Sequence, residues 1–167
     1  LGVQLASAES LVDIEEFQHT SFRTPELYFG YKFSQGRNQL GNPEGFNPQN
    51  EVVYSLPQHL EQHYFYLDGI WENLEGSMKL VSNSGSIVLL YHAKEVNIVT
   101  ANEAELEIFL DEKPIPTSYA GSDVVSGKVI ISDAGLYNIV NSEEPASHLL
   151  KIAISEPGFE IYTFTFG

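Results

Sequence analysis

Three features of the chain predict an all-β fold, an antiparallel two-sheet sandwich of jelly-roll type with a short N-terminal arm or helix. Apolar and polar residues alternate over many short segments, turn formers separate those segments, and few stretches carry a helical period. Roughly ten such segments suit a two-sheet jelly roll, although spacing alone does not separate it from other sandwiches. The 167 residues amount to one domain, or one domain plus an arm.

The elements follow in order. Over 1–23, Ala6, Ala8, Leu11, Val12 and Ile14 mix with Glu9, Asp13, Glu15 and Glu16 in a loosely helical pattern, and Ser10 with Asp13 can cap a short helix. This is the expected arm or linker; the sandwich is expected over 24–167. Residues 34–50 read as a long loop, because Gly36, Asn38, Gly41, Asn42, Pro43 and Gly45 crowd it with turn formers. Such a loop is a lid or a mobile tail. Strands are expected at 51–55, 63–68, 74–81, 86–92, 95–100, 105–110, 128–132, 136–141, 148–155 and 161–166. Leu106, Ile108 and Leu110 alternate with Glu105, Glu107 and Phe109, which places one face in a core and the other toward water. His148, Leu150, Ile152 and Ile154 alternate in the same way, as do Tyr162, Phe164 and Phe166. Asn83-Ser84-Gly85, Asp133-Ala134-Gly135 and Glu156-Pro157-Gly158 supply turns between runs.

Charge excludes whole classes of partner. Eight Lys and Arg stand against 23 Asp and Glu, a formal net charge of -15, and the cations are strung out singly. Nucleic acid and anionic membrane surfaces both need clustered cations, so neither is an expected partner. The absence of cysteine removes disulfides, thiolate metal sites and a cysteine nucleophile. No apolar run approaches the roughly 18 residues of a membrane span, so no direct insertion by this chain is expected. The start at Leu1, without methionine, points to a fragment excised from a longer protein.

Few motifs carry chemistry. His59-Leu60-Glu61-Gln62-His63 misses the zinc-protease pattern, because the glutamate does not directly follow the first histidine. The two histidines could share a helix face, yet Tyr64-Phe65-Tyr66-Leu67 reads as a strand, so no metal is expected. Asp68-Gly69 and Asp123 lie in turn-like contexts able to offer oxygens to structural calcium, but no loop has the Asp/Asn density of a calcium-binding hand, and no cofactor is expected. No Gly-x-Ser-x-Gly elbow and no phosphate-binding glycine loop occurs. Chance alone pairs carboxylates among 23 acids, which leaves a jelly-roll hydrolase without a specific signal. No catalytic residue is therefore assigned.

The aromatics are more informative. Adjacent residues of a strand point to opposite faces, so a buried Phe65 turns Tyr64 and Tyr66 outward. With Trp71 they form a candidate platform on which the apolar face of a sugar ring stacks. Core filling explains the same residues equally simply.

From Thr24 onward the chain resembles a known family. Thr24-Pro25-Glu26-Leu27-Tyr28-Phe29-Gly30-Tyr31 is similar to the opening of the C-terminal domain of DipZ-like proteins, large thioredoxin-like proteins linked to cytochrome c biogenesis and thiol-disulfide exchange. Tyr66-Leu67-Asp68-Gly69-Ile70-Trp71, Ala93-Lys94-Glu95-Val96-Asn97 and Leu110-Asp111-Glu112-Lys113-Pro114 resemble further family segments in the same order. Glu112 replaces the usual glycine of the last one, at a turn where glycine accepts positive φ cheaply. The resemblance implies a jelly roll like a carbohydrate-binding module. It also implies a place after an N-terminal thioredoxin-like domain of the same protein, the redox cysteines lying in that domain, and an extracytoplasmic location in the periplasm or cell envelope. The expected role is a non-catalytic accessory module that binds a carbohydrate or cell-envelope ligand. The alternative is a protein-interaction or scaffold domain that positions the redox domain on its client.

Overall fold

The computed structural model describes residues 22–167, so the arm expected over 1–23 lies outside the described residues except for its last two. The strands are β1 (Leu27–Tyr28), β2 (Glu51–Tyr54), β3 (Phe65–Asn73), β4 (Met78–Leu80), β5 (Gly85–Ala101), β6 (Ala104–Leu110), β7 (Lys113–Pro114), β8 (Lys128–Ile131), β9 (Gly135–Ile154) and β10 (Glu160–Phe166). Among the described residues there is no helix. The strands pair in the order β1-β10-β4-β3-β5-β9-β6-β7; β2 adds to β3, β8 adds to β6, and β10 also pairs with β5. Every pairing between these strands is antiparallel.

The all-β class therefore holds, but hydrogen bonding forms one continuous path instead of two separate sheets. Two strands longer than the sequence suggests are the reason. The segments expected at 86–92 and 95–100 fuse into the 17-residue β5, and those at 136–141 and 148–155 fuse into the 20-residue β9. Nothing between Tyr91 and Glu95 breaks the first. In the second, Ser142-Glu143-Glu144-Pro145 looks like a break but forms a bulge. Asn141 pairs with Glu95 and Ala146 with Ala93, so four residues stand opposite Lys94 alone. An unpaired bulge tolerates a proline, which has no N–H to give the ladder. By contrast, the strand expected over 74–81 shrinks to β4, since β3 continues to Asn73.

One face of this network makes the main core. Phe65 and Leu67 of β3, Ile87, Leu89 and Tyr91 of β5, Leu150, Ile152 and Ile154 of β9 and Ile161 and Phe164 of β10 are all buried in it. Phe29 stacks between strands, with its ring centroid 4.0 Å from Phe65 and 5.5 Å from Phe164. Their alternate positions bury in a second, smaller cluster on the opposite face: Tyr66, Val88, Leu90 and Leu149, covered by Leu60 with Leu56 and Tyr64 at its edge. This corrects the expectation of one wet face. The chain between β2 and β3 crosses the outer face, so the middle of β3 and β5 is buried on both sides.

The 34–50 loop is tied to the sheet. Gly41 N–H donates to the Phe65 carbonyl at 2.8 Å, and Leu40 bridges Phe65 in parallel register. The buried Asn42 amide binds both backbone groups of Leu67, donating to its carbonyl at 2.9 Å and accepting from its N–H at 2.7 Å. An asparagine side chain can thus stand in for a neighbouring strand.

Candidate ligand-binding groove

The structure separates the three candidate platform residues. Trp71 is fully buried in the main core, and its indole N–H donates to the Asp68 carbonyl at 3.0 Å. Tyr66 does face away from that core, as the alternation predicts, but it is only 3% exposed. Its hydroxyl accepts a hydrogen bond from Glu61 N–H at 2.8 Å, and burial raises the phenol's pKa. Tyr64 is half-buried at the edge of the second cluster. The outward platform of Tyr64, Tyr66 and Trp71 is therefore corrected: the chain over 55–64 covers one of them, and the core encloses another.

The histidine pair does not share a helix face either. Residues 59–63 are not helical, and His63 Nδ1 lies 2.8 Å from the Thr24 hydroxyl. Burial, followed by the neighbouring His92, lowers the His63 pKa. Asp123 uses a carboxylate oxygen to accept Asn138 N–H at 2.7 Å. Among the described residues no group of three or more His, Asp or Glu is placed to hold a metal.

An open groove lies beside the second cluster. Val88 of β5, Lys151 of β9 and Phe109 of β6 form one row across three paired strands, Lys151 opposite both of the others. All three point outward, in antiphase to the core positions. Leu149 lies further along β9 on the same face, Leu56 and Leu60 form a wall, and Glu112 rises from the turn between β6 and β7. They enclose about 340 Å³. The Lys151 ammonium stands 5.8 Å from the centre of the Phe109 ring. The floor is apolar, a half-exposed aromatic ring is available, and one cation and one anion flank it. This pattern suits a small ligand with an apolar face and polar edges.

The turn that carries Glu112 keeps the geometry expected of a glycine. Asp111 has φ 54° and Glu112 φ 70°. Leu110 and Lys113 pair on either side, a two-residue hairpin of the type that needs positive φ at both central positions. Sequence reasoning missed Phe109 as a site residue, although its place among Glu105 and Glu107 on the outward face was the available signal.

Residues 24–167 match a family described as Thioredoxin like C-terminal domain. Two curated relatives, both named Protein DipZ, come from Mycobacterium bovis (strain ATCC BAA-935 / AF2122/97) and Mycobacterium tuberculosis (strain CDC 1551 / Oshkosh). Each is 27% identical over 144 residues, which is 86% of this chain and 18% of the relative.

Proposed function

The chain belongs to the family of thioredoxin-like C-terminal domains, and on that premise we propose that it is a non-catalytic accessory module of a DipZ-like thiol-disulfide oxidoreductase that binds a carbohydrate or cell-envelope ligand. In this reading an N-terminal thioredoxin-like domain of the same protein carries the redox cysteines, and the pair works outside the cytoplasm in thiol-disulfide exchange linked to cytochrome c biogenesis. The lack of cysteine in this chain and its place within relatives about five times longer support the accessory role. The proposed architecture is a jelly roll like that of a carbohydrate-binding module, with β5 and β9 bridging its layers.

The observation that carries the ligand reading is the groove over Val88, Phe109 and Leu149. Its exposed Lys151 and Glu112 can hydrogen-bond hydroxyls while the Phe109 ring meets the apolar face of a sugar. Calorimetric titration with cell-wall oligosaccharides tests it. Saturable heat is expected, together with loss of binding in Phe109→Ala at unchanged thermal stability. No heat for any such glycan, or unaltered binding in Phe109→Ala, refutes the groove.

A further inference from the structure

The groove is one end of a longer open face. On β6 the side chains of Glu105, Glu107 and Phe109 point outward in one line, exposed or half-exposed, while Leu106, Ile108 and Leu110 between them are buried. Lys128 and Ile130 of β8 continue this face, with Val129 and Ile131 buried beneath. On β9, Lys151 and Ala153 do the same above Ile152 and Ile154. The register joins these residues in rows. Lys151 stands beside Phe109, Ala153 and Lys128 flank Glu107, and Ile130 stands beside Glu105. The chain over 55–64 covers the middle of β3 and β5 but leaves these rows open, for Glu107, Lys128, Ile130 and Lys151 are all exposed.

The face has the relief of a shallow track. Phe109 stands at one end, in the groove. Ile130 stands at the other, 63% exposed, against a second hollow of about 450 Å³ that Glu103, Glu105, Ser132 and Glu156 also line. Between them the floor is low, because Ala153 offers only a methyl group and Ser86, its partner on β5, only a hydroxymethyl group. Glu105 and Phe109 are four residues apart on one strand, roughly 13 Å at about 3.4 Å per residue. A single sugar ring fills the groove without spanning that length, and a chain of several linked rings spans it.

We propose that the groove is one subsite of this track, and that the ligand is an uncharged oligosaccharide chain lying along β6 from Phe109 to Ile130. The inference rests on the glycan reading above and adds chain length and charge to it. Phe109 and Ile130 meet the apolar faces of the outer rings, and the Glu107 carboxylate accepts hydroxyl groups between them. Charge sets the chemistry of the chain. Glutamates outnumber lysines along the track, and the Lys128 ammonium is already held by Glu105 at 2.8 Å. A glycan with a carboxylate on each ring is therefore repelled.

Calorimetric titration of the chain with N-acetylglucosamine, its β-1,4-linked dimer and its β-1,4-linked tetramer tests the track. Affinity is expected to rise about tenfold from dimer to tetramer. Ile130→Ala, at an exposed position where folding tolerates it, lowers tetramer affinity about fivefold and leaves dimer affinity unchanged. Ala153→Gln, which raises the floor between the two ends, has the same selective effect, whereas Phe109→Ala weakens both ligands. A galacturonic acid tetramer is expected to bind at least about tenfold more weakly than the uncharged tetramer. Equal affinity for dimer and tetramer, or an unaltered tetramer affinity in Ile130→Ala, would overturn the track and leave the groove standing. Equal or tighter binding of the galacturonic acid tetramer would overturn the assignment of an uncharged chain. No heat at any chain length would remove the glycan reading together with the track.

Discussion

The Tyr66 hydroxyl accepts the Glu61 backbone N–H at 2.8 Å, which pins the segment between β2 and β3 over the outer face of the sheet. Leu60, beside Glu61, is fully buried against Val88 and Leu90. Tyr66→Phe keeps this packing but leaves the N–H without its acceptor, at a cost of about 1 kcal/mol. Gly41→Ala attacks the same contact from the ring side, since a Cβ there would stand 2.3 Å from Tyr66 Cε1. Moving the ring or the tied loop costs about 1–3 kcal/mol. Urea denaturation midpoints of the two variants check both values.

Trp71 reports on the core and not on a ligand. As the sole tryptophan, fully buried, it gives blue-shifted emission that aqueous quenchers reach poorly, and that emission stays constant when an oligosaccharide fills the groove. Trp71→Ala is expected to cost about 3–5 kcal/mol. Emission quenched by a bound sugar would place the ligand elsewhere than on the groove face.

What the sequence revealed and what it concealed follow from the range of the signals. Alternation at 105–110 is local, and that segment is a strand with the expected faces. The segment at 161–166 is a strand too, but an irregularity in its pairing between Ile161 and Thr163 shifts the alternation, so Ile161 and Phe164 are both buried. The burial of Tyr66 depends on Leu60 folding back over it, and no periodicity within β3 records that contact. The continuity of β9 through Pro145 depends on a bulge opposite Lys94, so a local break signal was overridden by pairing on both sides. The same limit applies to His148 and Asp111, which lie 37 positions apart in sequence and meet only because β6 and β9 pair.

Glu112→Gly separates stability from binding. A side chain at φ 70° is strained, and glycine relieves that strain by about 1 kcal/mol, offset in part by the greater freedom of the unfolded chain. A melting temperature about 1–3 °C higher is expected. The exchange also removes an anion from the groove, so glycan affinity falls while stability rises. A drop in both would mean that the Glu112 side chain matters more to the turn than its φ does.

Alkaline stability follows the buried phenols. The folded-state pKa of Tyr91 is raised above its ordinary 10.0, so the stabilisation is intact below pH 10.0 and is lost as pH rises toward the folded value. Tyr54 and Tyr66 are raised in the same direction, again first by burial. Above about pH 10, the denaturation midpoint is expected to fall less steeply in Tyr91→Phe than in the parent chain.

The acid limb carries the opposite sign and a different residue. His63 has a folded-state pKa below its ordinary 6.5, because burial and the nearby His92 disfavour the imidazolium. The unfolded chain therefore takes up this proton first as pH falls. The stability that a neutral His63 confers is complete above pH 6.5 and is lost as pH drops through the folded value. The Thr24 hydroxyl links this titration to the start of the domain, since it contacts His63 Nδ1 and accepts His92 N–H, each at 2.8 Å. His63 has φ 75°, so asparagine, which tolerates that region, is the appropriate replacement. Between about pH 7 and 5 the parent chain should lose stability more steeply than His63→Asn. Midpoints in urea at several pH values measure the two slopes, and equal slopes would assign the acid loss to other groups.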